Sequence, residues 1–243
     1  MTGSAPLTAP LLNKSPNKSV NPWWGERTFT ETKGDRHAVR HTVAYRPLEG
    51  SSVSIIGGGP GLCRAAASML AMHRAIAVNN SFLFLPAPAM VVALDRRWWS
   101  WHGNDTKARQ DTCITSLQKN QTNPAGFTGY AFNKDRATIY DPDPGILCGQ
   151  NSGHAAITLA MHLGAARIYL AGFDMGFKGE RTHWHGGHNV PSSSANYQRR
   201  FRPALEALAK VAPDHGVSIM ACTPTYADIP TCSLDQALED LRQ

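Results

Sequence analysis

The chain has 243 residues, 42% hydrophobic and 17% charged, a balance that suits one large globular α/β domain. No apolar run approaches the roughly 18 residues of a membrane span, and the N-terminus lacks the apolar core of a signal peptide, so a cytoplasmic protein is expected. A formal net charge of +6 and a pI near 9.2 favour anionic ligands, from nucleotide phosphates to nucleic acid, although no lysine-rich block stands out.

Residues 1–22 carry Pro6, Pro10, Pro16 and Pro22 among polar residues with no hydrophobic period, which predicts a loose or disordered tail. Trp23 and Trp24 follow, either to pin that tail to the domain or to stack on a ligand. Residues 36–46 alternate in part and predict an edge strand. Val53 to Ile56 form a β-branched strand that runs straight into Gly57, Gly58, Gly59, Pro60 and Gly61, and a helical pattern covers Cys63 to Arg74. Strand, glycine turn and helix together present backbone N–H groups and a positive helix end to a phosphate. Glycine there leaves room for close approach. The segment is not the GxGxxG fingerprint, because Leu62 stands at its third glycine. A tight turn without a ligand is the other reading of the same residues.

Ala75 to Val78 predict a second strand, leading to Asn79, Asn80 and Ser81. After a loop at Pro86 and Pro88, Ala89 to Leu94 form an apolar run suited to a central parallel strand. It ends in Asp95, Arg96, Arg97, Trp98 and Trp99, read here as a loop at the rim of a site. Thr112 to Leu117 predict a further strand. Residues 118–149, rich in Asn, Asp, Gly and Pro, predict a loop-rich insertion covering the site. Asn151 or Ser152 caps a helix over 154–163, and Gly164 ends it. Arg167 to Ala171 form a buried strand, followed by a glycine-rich loop through Asp174 and His188. A helix over 197–211, a strand over 217–222 and a helix over 234–241 complete the pattern.

Strands alternating with helices predict an α/β fold, a Rossmann-like parallel sheet with helices on both faces, as one domain over 23–243. Ligands of such sheets sit beyond the carboxyl ends of the strands. That rule gathers Gly57 to Gly61, Asn79, Asn80, Asp95 to Trp99 and Asp174 on one rim. Cys63, Cys113, Cys148, Cys222 and Cys232 are scattered and odd in number, which argues against a disulfide framework or a cysteine zinc site and leaves them as small core residues or incidental thiols.

Three features carry chemistry. Asn151, Ser152 and Gly153 open a helix and offer a hydroxyl and backbone N–H groups to a phosphate or a base edge. Asp174, one turn past a buried strand, is placed to bind ribose hydroxyls, to orient a base, to hold a metal or simply to cap its loop. His183, His185 and His188 lie within six residues among glycines, an arrangement open to general acid/base work and equally to solvated loop histidines. THWHGGH superficially matches the HxHxDH motif of metallo-β-lactamase-like hydrolases, but Gly187 replaces its Asp and the α/β pattern is wrong for that fold.

VSIIGGGPGL (53–62) resembles the VIIAGNGPSL-type opening of the bacterial sialyltransferases that include the Campylobacter enzymes. The likeness continues through VNNSFLF (78–84), through NSGHAAITLAMHLGAARIYLAGFDMGF (151–177), through the His-rich loop and to Cys222-Thr223-Pro224. The same segments are similar to the MptE-like family, whose archaeal members are hydroxymethylpterin diphosphokinases, with GFKGERTH (176–183) close to that family's glycine-rich element. Phage-encoded proteins share a THWHGDH variant of the loop. The matching segments cover about half the chain, in order. The sialyltransferase resemblance implies a transferase with a nucleotide-activated donor, contacts at Gly57, Gly59, Asn80, Ser152 and Gly153, a base among His183, His185 and His188 with His188 foremost, and no metal cofactor. The acceptor is open, nucleic acid included. Gly58 and Gly61 stand where that family has Asn and Ser, so two side-chain polar groups are lost. The MptE-like resemblance implies instead Mg²⁺-dependent diphosphate transfer, with Asp174 or Asp95 as ligands. A third reading is a non-enzymatic nucleotide- or nucleic-acid-binding module that uses the Arg96-to-Trp101 run.

Overall fold

A computed structural model describes residues 24–30, 37–117, 123–124, 127–185 and 193–243, with side chains from Val39 onward. The expected tail over 1–22, Trp23 and His188 lie outside the described residues.

Eight strands form one parallel sheet: β3 (Ser52–Ile56), β4 (Ala75–Val78), β5 (Met90–Val92), β6 (Thr112–Leu117), β7 (Tyr130–Asp135), β8 (Ile146–Cys148), β9 (Arg167–Ala171) and β10 (Ser218–Ala221). Their order in the sheet is β10-β9-β3-β4-β5-β6-β7-β8, and each neighbouring pair is parallel. The central strands are buried on both faces, which is why β4 and β5 read as unbroken apolar runs. Val53, Ile55, Ile76, Val78, Ile168 and Leu170 point to one core, and Ile56, Ala77, Val91, Tyr169 and Ala171 to the other.

Helices cover both cores. On the first lie α3 (Ser152–His162) and α5 (Arg202–Val211); on the second lie α1 (Arg64–Ala71), α2 (Arg96–Ala108) and α6 (Leu234–Leu241). A short α4 (Ser194–Asn196) and a π turn (Tyr197–Phe201) lead into α5. The Rossmann-like expectation is therefore met.

The expected edge strand over 36–46 is β2 (His37–Val43), and it pairs antiparallel with β1 (Trp24–Thr30) in a separate two-stranded sheet. Two expectations fail. Residues 118–149 are not merely loops, because β7 and β8 extend the main sheet there. Their sequence signal is weak because only Ala131, Phe132, Leu147 and Cys148 are buried on them. Residues 95–102 are not a loop either. Asp95 caps α2, its Oδ1 accepting the Arg97 N–H at 2.9 Å. That helix is rich in poor helix formers and is held by Trp98, edge-on to Phe82 at 5.6 Å, and Trp99, edge-on to Phe127 at 4.7 Å.

The topology fixes where a ligand would sit. From β3 the chain moves outward through β4 to β8, then returns along α3 to β9 on the other side of β3. Strand order thus reverses between β3 and β9, and the crevice beyond their carboxyl ends is the switch point of the sheet.

Candidate functional site

The turns after β3 and β9 interlock at this switch point. Gly57 N–H donates to Ala171 O at 2.7 Å and Gly59 N–H to Gly172 O at 2.8 Å. Gly61 N–H donates to Asp174 Oδ1 at 2.7 Å. A Cβ on Gly57 would lie 2.6 Å from Gly172 O; one on Gly59 would also lie 2.6 Å from Gly172 O and would collide with the Asp174 carboxylate. Glycine is required here so that one turn can approach another. None of these glycines has positive φ; Gly172 does, at 70°. Room for a phosphate is not what the Gly59 site provides. Gly61 does not line the cleft, and its N–H is committed to Asp174. Gly58 differs from its neighbours: a Cβ there would meet only the His183 ring, at 3.1 Å.

The expected helix dipole is also displaced. α1 begins only at Arg64, its cap is the exposed Cys63, and neither lines the cleft. The helix starts that do face it are those of α2 and α3. Asn151 caps α3, its Oδ1 accepting the His154 N–H at 2.9 Å. Ser152 Oγ instead accepts the Leu94 N–H at 3.0 Å and ties α3 to the end of β5. Ser152 and Gly153 line the cleft, and as the first two helical residues their N–H groups lack intrahelical acceptors.

The cleft measures about 710 Å³. Of the sequence-derived candidates, Gly57, Gly58, Gly59, Pro60, Asn79, Asn80, Asp95, Arg96, Arg97, Trp98, Asn151, Ser152, Gly153, Asp174, His183 and His185 line it. Trp99 does not. It is only 1% exposed, and its indole N–H donates to Ala93 O at 2.9 Å, so it belongs to the core and not to an acceptor rim. Asp95 turns its carboxylate to its own helix and to Arg97, 3.5 Å away. Asn80 Oδ1 accepts the Trp98 indole N–H at 2.6 Å.

Among the described residues that line the cleft, two buried oxygen acceptors remain uncommitted. Asn79 Oδ1 and Asp174 Oδ2 are buried without a hydrogen-bond partner. Asn79 also holds a left-handed φ of 51°, a conformation asparagine tolerates better than most residues. Burial holds the Asp174 carboxyl above its ordinary pKa, partly offset by the Gly61 N–H. A ligand offering hydroxyl or amino hydrogens would satisfy both atoms.

The histidine loop sits directly on the glycine turn. Trp184 N–H donates to Gly58 O at 3.1 Å, and the Trp184 ring packs on Phe84 with centroids 4.3 Å apart. His183 Nδ1 lies 2.9 Å from Thr182 Oγ1, and the His183 and His185 rings are 5.4 Å apart. Two stretches more than a hundred residues apart in sequence therefore form one wall.

Sequence reasoning missed several cleft residues. Lys134 and Arg136 come from β7 and the turn after it, a region read as loops, while Tyr197 and Phe201 come from the π turn. Burial and the neighbouring Arg136 lower the Lys134 pKa to about 8. The only sequence signal for it was the short run Tyr130 to Asp135. Among the described residues no group of three His, Cys, Asp or Glu could hold a metal ion, and no helix is long and apolar enough to cross a membrane. No protein-family model and no curated protein matches this chain.

Proposed function

We propose that the chain is a transferase that takes a nucleotide-activated donor, in the manner of the sialyltransferases its segments resemble, and moves a glycosyl group to an acceptor hydroxyl. The observation that carries this reading is the histidine loop resting on the glycine turn at the switch-point cleft, beside two buried acceptors that lack partners. In this reading Asn79 Oδ1 and Asp174 Oδ2 accept hydrogens from the donor's ribose or base. The first N–H groups of α3, with the dipole behind them, face the donor phosphate. A loop histidine, among His183, His185 and His188, takes the proton of the acceptor hydroxyl. The acceptor oxygen then bonds to the sugar carbon, and the bond from that carbon to the phosphate oxygen breaks. The nucleotide leaves with the electron pair, its charge met by the α3 end.

Thermal-shift titration against CMP, UMP, CMP- and UDP-sugars and ATP tests the reading. A nucleotide at a hundred times its Kd stabilises by about 2.7 kcal/mol, which raises the Tm of a chain this long by roughly 5–10 °C. No shift with any of these nucleotides would sink it. A second reading, diphosphate transfer from ATP, draws on the uncommitted Asp174 Oδ2, which would hold Mg²⁺ against the phosphates and so neutralise their charge. Transfer that stops with EDTA and returns with Mg²⁺ would favour it over the first.

A further inference from the structure

The cleft also carries a group of cations to which the donor reading gives no role. Lys134 and Arg136 line it at the carboxyl end of β7. Gln150 joins them to the next basic residues: its amide N–H donates to Arg136 O, and its Oε1 accepts from Arg200 Nη2 at 2.8 Å. Arg136 and Gln150 also line an adjoining pocket of about 250 Å³, together with Arg199 and Arg200. Four cations thus run from the main cleft into its neighbour. Among the described residues no carboxylate pairs with any of the four. Asp135, between Lys134 and Arg136 in sequence, is committed to its own turn, where it accepts from Ala137 N at 2.8 Å and from the Thr138 hydroxyl. Like charges held together without a counter-charge repel unless an anion joins them. Lys134 feels this, since burial and Arg136 together weaken its hold on its proton.

We propose that Lys134, Arg136, Arg199 and Arg200 form a phosphate-ester subsite for the acceptor, so that the second substrate is a phosphorylated molecule entering opposite the donor. Naming it an acceptor subsite rests on the transferase reading above; the anion binding itself does not. A bidentate guanidinium such as that of Arg136 suits one phosphate, and Lys134 adds a compact charge deeper in the cleft. The shared chemistry is a phosphate ester, either on a small sugar phosphate or as links of a single nucleic-acid strand.

The test uses ribose 5-phosphate, which lacks a base, and a labelled ten-nucleotide oligothymidylate, at low salt. The paired variant Lys134→Gln, Arg136→Gln is compared with Arg74→Gln, Lys210→Gln, which removes the same charge from exposed positions elsewhere. We expect at least one probe to bind the native chain and the first pair to weaken it about tenfold or more, as loss of charge-assisted hydrogen bonds implies, while the second pair changes it little. Arg199→Gln, Arg200→Gln should weaken the oligonucleotide more than ribose 5-phosphate if a strand is the ligand, and both alike if a small ester is. CMP should bind at the same time as the probe. If neither probe binds, or both variant pairs bind equally well, the subsite is wrong. If the probe competes with CMP, the cations belong to the donor site and the proposal falls while the donor reading stands. If CMP, UMP, the CMP- and UDP-sugars and ATP all fail to bind but the probe binds and depends on Lys134 and Arg136, the subsite stands and the donor reading falls.

Discussion

Gly59→Ala is the sharpest probe of how the site is built. Its Cβ would lie 2.6 Å from Gly172 O and 2.8 Å from Asp174 Cγ, well short of the ~3.5 Å of ordinary contact. Both obstacles are held in place, Gly172 by its N–H bond to Thr223 Oγ1 at 2.9 Å and Asp174 by burial at 6% exposure. The turn after β3 must therefore retreat from the turn after β9. Retreat strains the hydrogen bond from Gly59 to Gly172 at 2.8 Å and the one from Gly61 to Asp174 at 2.7 Å. Overpacking of this kind costs about 1–3 kcal/mol, and a lost or weakened hydrogen bond adds about 1 kcal/mol more. A loss near 3 kcal/mol would lower the Tm of a chain this size by about 6–12 °C. Gly58→Ala is the control, because its Cβ meets only the movable His183 ring, at 3.1 Å; it should leave Tm within about 2 °C and disturb ligand binding instead. Urea and thermal denaturation of both variants measure the difference. Equal stability of Gly59→Ala and the native chain would refute the interlocked-turn account of these glycines.

Further outcomes follow from individual side chains. Asp174 has its pKa raised by burial, so its protonated form stabilises the fold at low pH, and that contribution is lost as pH rises through the folded pKa. Asp174→Asn should then be at least as stable as the native chain at pH 7, with the advantage shrinking towards the ordinary carboxylate range near 3.8, while nucleotide binding weakens; a less stable variant at pH 7 with unchanged binding would contradict this. Lys134 has its pKa lowered from 10.5 to about 8, so a phosphate ester should bind less tightly as pH rises through about 8, and Lys134→Arg should flatten that profile in calorimetric titrations. The groups facing Lys134 are Arg136 and His154 on α3, and burial lowers the His154 pKa to about 4, below that window. Ser152→Ala strips the acceptor from the Leu94 N–H and should cost about 1–3 kcal/mol if that donor is left unsatisfied. Unchanged stability on denaturation would mean that another acceptor replaces it.

The strands β4 and β5 were legible because burial on both faces demands unbroken apolar runs. The sequence also picked out half of the residues that line the cleft, because glycine, asparagine and histidine are unusual directly after buried strands. Three things it did not reveal. Strands β7 and β8 are short and contribute few buried side chains, so Lys134 and Arg136 passed as loop residues. Helix α2 consists largely of poor helix formers and exists because Trp98 and Trp99 find Phe82 and Phe127 across the fold. Gly59 looked like space for a ligand, but the space is filled by Gly172 and Asp174, more than a hundred residues away. Periodicity and composition are local, and they determined the layers, the parallel sheet and the basic character of the chain. Which turn meets which, whether a glycine faces a ligand or another backbone, and which cations gather without a counter-charge depend on contacts distant in sequence, and only the tertiary structure decided them.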